Sequence, residues 1–249
     1  MVGFMPERNR PINGGNLFSR PKDSRSWRPT IMHLLIVDLL AERQAFGREG
    51  VREILTHFES PKVSLWSPHV SERVDYEFGT VVNHPVDADL IIITGSRRNV
   101  SQWEDWMDQV AHLIQTTTTP LLGICFGHQI IAASLGGHVA RSTENSAFVS
   151  EVTYVDGQVV NALFTHQDHV VDAGEMNVIG SSEHCPIAAC QHPERPIFTV
   201  QYHPEAVSTV IEHALQIGEM SVEERLQFNL EIPIINMTDA LVKPLQSLQ

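Results

Sequence analysis

Cys125 stands between two glycines, in Gly123-Ile124-Cys125-Phe126-Gly127, after the apolar run that starts at Leu121. This is the spacing of a nucleophile elbow, G-x-Nuc-x-G, here with a thiol at its centre. The turn from strand to helix leaves no room for side chains at the flanking positions, and glycine removes the clash. The same turn puts Cys125 at the positive end of the following helix, where a thiolate is favoured. It also aims the Phe126 N–H at the place where an oxyanion would form. A purely structural cysteine in a tight strand-to-helix turn fits the same five residues, because free cysteines are often buried and inert. A second chemical group is needed to decide.

That group lies far along the chain, in Val200-Gln201-Tyr202-His203-Pro204-Glu205. A histidine at a strand end can take the thiol proton and return it to a departing amine. A carboxylate two residues on can hold the ring in the required tautomer. The chain has 13 histidines, so His203 beside an acid means little alone. With the elbow it completes a set of nucleophile, base and orienting acid.

The elements that must position these groups follow from hydrophobic periodicity. Strands are expected at 33–39, 63–66, 89–94 and 121–124, with amphipathic helices at 42–58, 103–115 and 127–135. Strand and helix in alternation imply βαβ units and a mostly parallel sheet. The second half reads differently, as shorter strands at 149–155, 158–164, 178–181, 187–191 and 197–201, then a helix at 206–217. The fold expected is therefore α/β, a mostly parallel sheet flanked by helices, with a smaller antiparallel sheet in the second half. Residues 1–30 are expected to be a flexible tail, 31–218 the folded domain, and 219–249 a C-terminal helix and loosely packed tail.

Composition narrows the class. The formal charge of −13 argues against a nucleic-acid partner, which calls for a basic face. No run approaches the roughly 18–20 apolar residues of a membrane helix, so no membrane partner is expected. The first 30 residues are rich in arginine and proline but lack the run of about 7–15 apolar residues of a secretory signal. Met32, just before the first strand, is a second candidate start. Three cysteines, an odd number without a secretory signal, point to a reducing compartment and a cytoplasmic protein. Cys185 and Cys190 are expected to fill core space, and Trp103 and Trp106 to lie in the core or at an interface.

Gly123-Ile124-Cys125-Phe126-Gly127-His128-Gln129 together with Gln201-Tyr202-His203-Pro204-Glu205 resembles the class I (triad-type) glutamine amidotransferases. Within them the chain resembles the amidotransferase domain of GMP synthase and its freestanding γ-glutamyl hydrolase and peptidase relatives, over roughly residues 33–217. The resemblance implies a flavodoxin-like domain and a γ-glutamyl thioester intermediate that water resolves. It makes Cys125 the nucleophile, His203 the general base and Glu205 its orienting acid. Ser96 and Phe126 become the oxyanion N–H donors, and Gly95, Gln129, His166, Gln167 and Asp168 the substrate-binding residues. The stretch Glu183-His184-Cys185-Pro186-Ile187 fits the same pattern. No cofactor is implied and no metal site is expected, although His166, Asp168 and His169 lie close in sequence.

Two departures stand out. The family's oxyanion loop often reads Gly-Gly-Pro, against Gly95-Ser96-Arg97 here, and Gln167 replaces a usual glycine. The first leaves Arg97 and Arg98 open to a substrate carboxylate, a partner protein or solvent. Both changes bear on glutamine preference and neither touches the triad. Three readings follow: a freestanding hydrolase of a small-molecule γ-glutamyl substrate, a glutaminase subunit serving a separate synthetase subunit, and a non-catalytic binding protein. An intact Cys-His-Glu set weighs against the third. A homo-oligomer stays open.

Overall fold

The structure, a computed structural model, describes residues 31–72, 75–228 and 231–246. The expected N-terminal tail lies outside the described residues. The chain runs β1 (His33–Val37), α1 (Gln44–Leu55), β2 (Lys62–Trp66), β3 (Thr80–Val82), β4 (Leu90–Ile93), α2 (Asp105–Thr116), β5 (Leu121–Ile124) and α3 (Phe126–Ser134). It continues with β6 (His138–Tyr154), β7 (Val159–Asp172), β8 (Asn177–Ser181), β9 (Ala189–Gln191), β10 (Ile197–Val200), α4 (Ser208–Gln216) and α5 (Val222–Gln227). A π-helical turn, Thr238–Val242, leads into α6 (Lys243–Gln246).

Among the described residues, ten strands form a single sheet in the order β3-β2-β1-β4-β5-β10-β9-β8-β6-β7. Pairing is parallel from β3 to β10 and antiparallel beyond it. The antiparallel strands of the second half thus extend the parallel sheet. The central strands are continuous apolar runs because both of their faces are covered. On β1, Leu34 and Ile36 pack with Val51 and Ile54 of α1. Leu35 and Val37 point the other way, towards Met107, Val110 and Ile114 of α2 and Ile130 and Ile131 of α3. Among the described residues no helix is long and apolar enough to cross a membrane.

The structure departs from the sequence reading in four places. The short strand β3 carries no signal: it has three residues, and Val81 is exposed. Helix α2 starts two residues later than expected, so Trp103 is exposed and its Nε1 donates to Asp108 Oδ1 at 2.8 Å, while Trp106 is buried against Phe126. The strands expected at 149–155 and 158–164 are the far ends of a long hairpin, β6 and β7, which pairs through the polar stretch 138–148 as well. Backbone pairing, not apolar alternation, makes that part a strand. Its register shifts between Arg141 and Ser146, which face Asp168 and His166.

The fourth departure is the C-terminal segment. Met237, Ala240, Leu241 and Leu245 are buried in the same core as Leu34 and Ile36, and the Ile235 N–H donates to Asn161 O at 2.8 Å. Pro233 and the short helical pieces hide the periodicity, but the apolar face is there. Leu241→Ala should therefore cost about 2–5 kcal/mol by urea denaturation. A loosely packed tail would instead give a change within about 0.5 kcal/mol.

Candidate active site

The carboxyl ends of β4, β5 and β10 meet at one point, the usual place for a ligand in an open α/β sheet. β5 delivers Cys125, which has φ +52° and ψ −101°. This conformation is strained for a residue with a Cβ. The Cys125 N–H donates to Val200 O at 2.8 Å, which ties the elbow to β10. A Cβ on Gly127 would lie 2.3 Å from Ile93 O, and one on Gly123 would lie 2.8 Å from the Gly127 backbone. Both glycines are therefore fixed by the close approach of α3 to β4 and β5.

His203 is held by its backbone N–H, which donates to Leu163 O at 2.8 Å. Its ring Nδ1 lies 2.8 Å from Glu205 Oε1, and Glu205 is only 4% exposed. The carboxylate accepts a hydrogen bond from Nδ1–H, which leaves the buried Nε2 for the sulfur. Gly95 shows how close the two groups come: a Cβ there would lie 3.0 Å from His203 Cε1 and 3.7 Å from Cys125 Cβ. Burial alone would drive the imidazole towards its neutral form. Cys125 and Glu205 outweigh burial through charge and hydrogen bonding, and hold His203 well above the ordinary histidine range. The site therefore favours an imidazolium beside the sulfur and the carboxylate.

The Cys125 sulfur lies 3.6 Å from the Gln201 side-chain amide, which donates towards it, and 3.9 Å from Thr165 O. Phe126 is the first residue of α3, so its N–H has no acceptor within its own helix. Ser96 follows Gly95 at the end of β4, and its Oγ accepts the Arg98 N–H at 3.0 Å, which shapes the loop. Arg97 and Arg98 both line the cavity, and Arg98 is engaged with Glu42 at 2.9 Å and Glu104 at 3.5 Å.

A cavity of about 590 Å³ opens over the sulfur. Cys125, His203, Glu205, Ser96, Phe126, Gln129, His166, Gln167 and Asp168 all line it, and Gly95 lies against the His203 ring. The expected substrate-binding side chains are largely occupied with each other. Gln129 donates to Asp168 O at 2.8 Å and to Gln201 Oε1 at 3.1 Å. His166 Nδ1 donates to Asp168 O at 3.0 Å. Gln167 donates to Ser142 O at 3.1 Å and accepts from Arg141. Both Asp168 oxygens are taken: Oδ2 by the Ser101 N–H at 2.8 Å, Oδ1 by Ser101 Oγ at 2.9 Å and by Arg141 at 3.4 Å. The carboxylate is 2% exposed, so it fixes the cavity wall. His128, next to Gln129, turns into the core, where burial pushes it down to about 4 while it bonds Thr199 Oγ1 and Ile187 O.

Ser101 and Arg141 were not evident from the sequence. Ser101 has no local signal, and Arg141 falls in the polar part of β6, where only the pairing with Asp168 reveals it. Gln201 had a signal, since it immediately precedes the Tyr202-His203 pair.

Residues 68–218 match the model of the family described as glutamine amidotransferase class-I. A glutamine-hydrolysing GMP synthase of Vibrio campbellii is 31% identical over 188 residues, which is 71% of this chain and 33% of that protein. The chain thus spans about a third of the length of that relative. A shorter relative, one subunit of a glutamine-hydrolysing GMP synthase from Methanocaldococcus jannaschii, is 36% identical over 100 residues, covering 36% of this chain and 53% of its own length. In fold, the chain is similar to a glutamine amidotransferase from Thermotoga maritima, with a TM-score of 0.57 at 17% identity over 81% of this chain and 89% of that one.

The contact between Gly95 and the His203 ring is testable. Gly95→Ala should push the ring off the sulfur and lower turnover on the order of a hundredfold. The melting temperature should change little, and steady-state kinetics beside thermal unfolding would check both.

Proposed function

This chain belongs to the class-I glutamine amidotransferases, and from that premise we propose that it hydrolyses a γ-glutamyl amide bond through a γ-glutamyl thioester on Cys125. The observation that carries the proposal is the Cys125–His203–Glu205 arrangement at the floor of the cavity. The sulfur attacks the γ-carbonyl, and the N–H groups of Ser96 and Phe126 hold the oxyanion. His203 gives its Nε2 proton to the departing nitrogen, so an amine or ammonia leaves. Water then enters, gives a proton back to His203 and cleaves the thioester, releasing glutamate and the thiol. Glu205 holds the ring through both half-reactions. Gln129 and the 165–168 strand, with Gly95 opposite, would frame the glutamyl group.

The size and lining of the cavity support a leaving amine larger than ammonia. Its lining includes the apolar side chains of Leu163, Ile211, Met220 and Phe228 among polar ones such as Arg43, Glu219 and Gln227. A small-molecule γ-glutamyl conjugate would place its amine there. The second reading is glutamine hydrolysis, with ammonia handed to a separate synthetase subunit, and the names of the relatives support it. The three cysteines are unpaired, which supports a cytoplasmic setting.

Glutamate release from glutamine and from a panel of γ-glutamyl amides, dipeptides and anilides separates the two readings. Fast release from a conjugate and slow release from glutamine are expected. Slow release from every compound, with Cys125 still labelled by a glutamine-analogue electrophile, would favour the subunit reading. Cys125→Ala should abolish turnover and leave the circular dichroism spectrum intact; retained turnover would end both readings.

A further inference from the structure

One group of metal-type ligands lies beside the triad without belonging to it. His166 and His169 of β7 meet Cys185 of the loop between β8 and β9, and their ligand atoms all lie within 4.8 Å of one another. The two rings are 4.4 Å apart, edge to face. Asp168, the sequence neighbour that would look like a third ligand, is instead taken by Ser101 and Arg141.

The state of His166 is specific. Its Nδ1 bonds a carbonyl oxygen, Asp168 O, so Nδ1 carries the proton. In the neutral ring the lone pair is then on Nε2, and that nitrogen is buried without a hydrogen-bond partner. A backbone carbonyl fixing one imidazole nitrogen while the other is presented bare is the usual support of a metal-bound histidine. Cys185 adds a soft donor that is 1% exposed and in no disulfide, with its S–H directed at Ile187 O at 3.5 Å.

We propose that His166 Nε2, His169 and Cys185 Sγ form a three-ligand site for a borderline-soft divalent cation of the zinc type, with water in the fourth position. Tetrahedral zinc with bonds of about 2.0–2.3 Å sets its ligand atoms roughly 3.3–3.8 Å apart, so the three need to close by about an ångström. Binding replaces the S–H bond of Cys185 by a sulfur–metal bond and releases that proton to solvent, so affinity rises with pH. The ion reaches the site through the cavity, which His166 lines. The site also adjoins the proposed catalytic pair: Cys185 shares a core cluster with Cys125, and His166 lines the same cavity as His203. An ion there lowers the reactivity of Cys125, a consequence that rests on the proposed activity, whereas the binding itself does not.

Cobalt(II) titration of the full chain carrying Cys125→Ala tests binding without the catalytic thiol as a ligand. A thiolate-to-cobalt charge-transfer band and tetrahedral d–d bands should saturate at one equivalent. They should vanish when Cys185→Ser is added, with circular dichroism unchanged. His169→Ala, at a half-buried position, should weaken binding by roughly tenfold or more. Absence of the charge-transfer band, or its survival in the Cys185→Ser variant, overturns the site. With otherwise intact protein, zinc should inhibit glutamate release, and His169→Ala should relieve the inhibition. Equal inhibition in that variant would place the ion on Cys125 and His203 and overturn the linked effect.

Discussion

The site rests on one close approach, the first turn of α3 against the end of β4. Gly127 lies so near Ile93 O that no side chain fits between them. Only this proximity lets the chain turn from β5 into α3 within a single residue. That residue is Cys125, and it takes up the conformational cost, of order 1–3 kcal/mol for a strained backbone. The sheet holds the strain in place from both sides, through β4 and through the hydrogen bond to Val200 O on β10. The nucleophile and the strand that brings His203 are thus positioned by the same pairing.

Around this elbow the chain arranges two polar systems of different character. The proposed triad is open-ended: His203 is held by Glu205 through Nδ1, while its buried Nε2 has no hydrogen-bond partner. Asp168, by contrast, has every oxygen occupied by Ser101 and Arg141, and its backbone carbonyl accepts from Gln129 and His166. A buried carboxylate is tolerable only when so fully bonded. The first system is the one that changes its proton state in the proposed reaction. The second keeps the wall of the cavity still while that happens.

Much of the triad was legible because it is local. Glycine on both sides of a cysteine, or a carboxylate two residues after a histidine, are short-range signals with a steric or electrostatic cause. The central strands were legible for a similar reason, since burial on both faces writes a continuous apolar run. What the sequence hid depends on partners distant in the chain. The polar half of β6 is a strand because β7 lies beside it, and Arg141 has meaning only opposite Asp168. Cys185 reads as a small core residue until the fold brings His166 and His169 to it. The buried face of residues 237–245 is broken up in sequence by a proline and by short, irregular helical turns.

That last segment has a consequence for biosynthesis. Its apolar side chains share a core with β1 and α1, so elements far apart in the chain complete one another. A nascent chain that has already released Cys125, His203 and Glu205 from the ribosome still lacks part of this core, and exposes the apolar side chains that the segment will cover. Such partly covered intermediates are prone to aggregation. Until residues 237–245 are in place, the apolar side chains of β1 and α1 that they cover stay exposed.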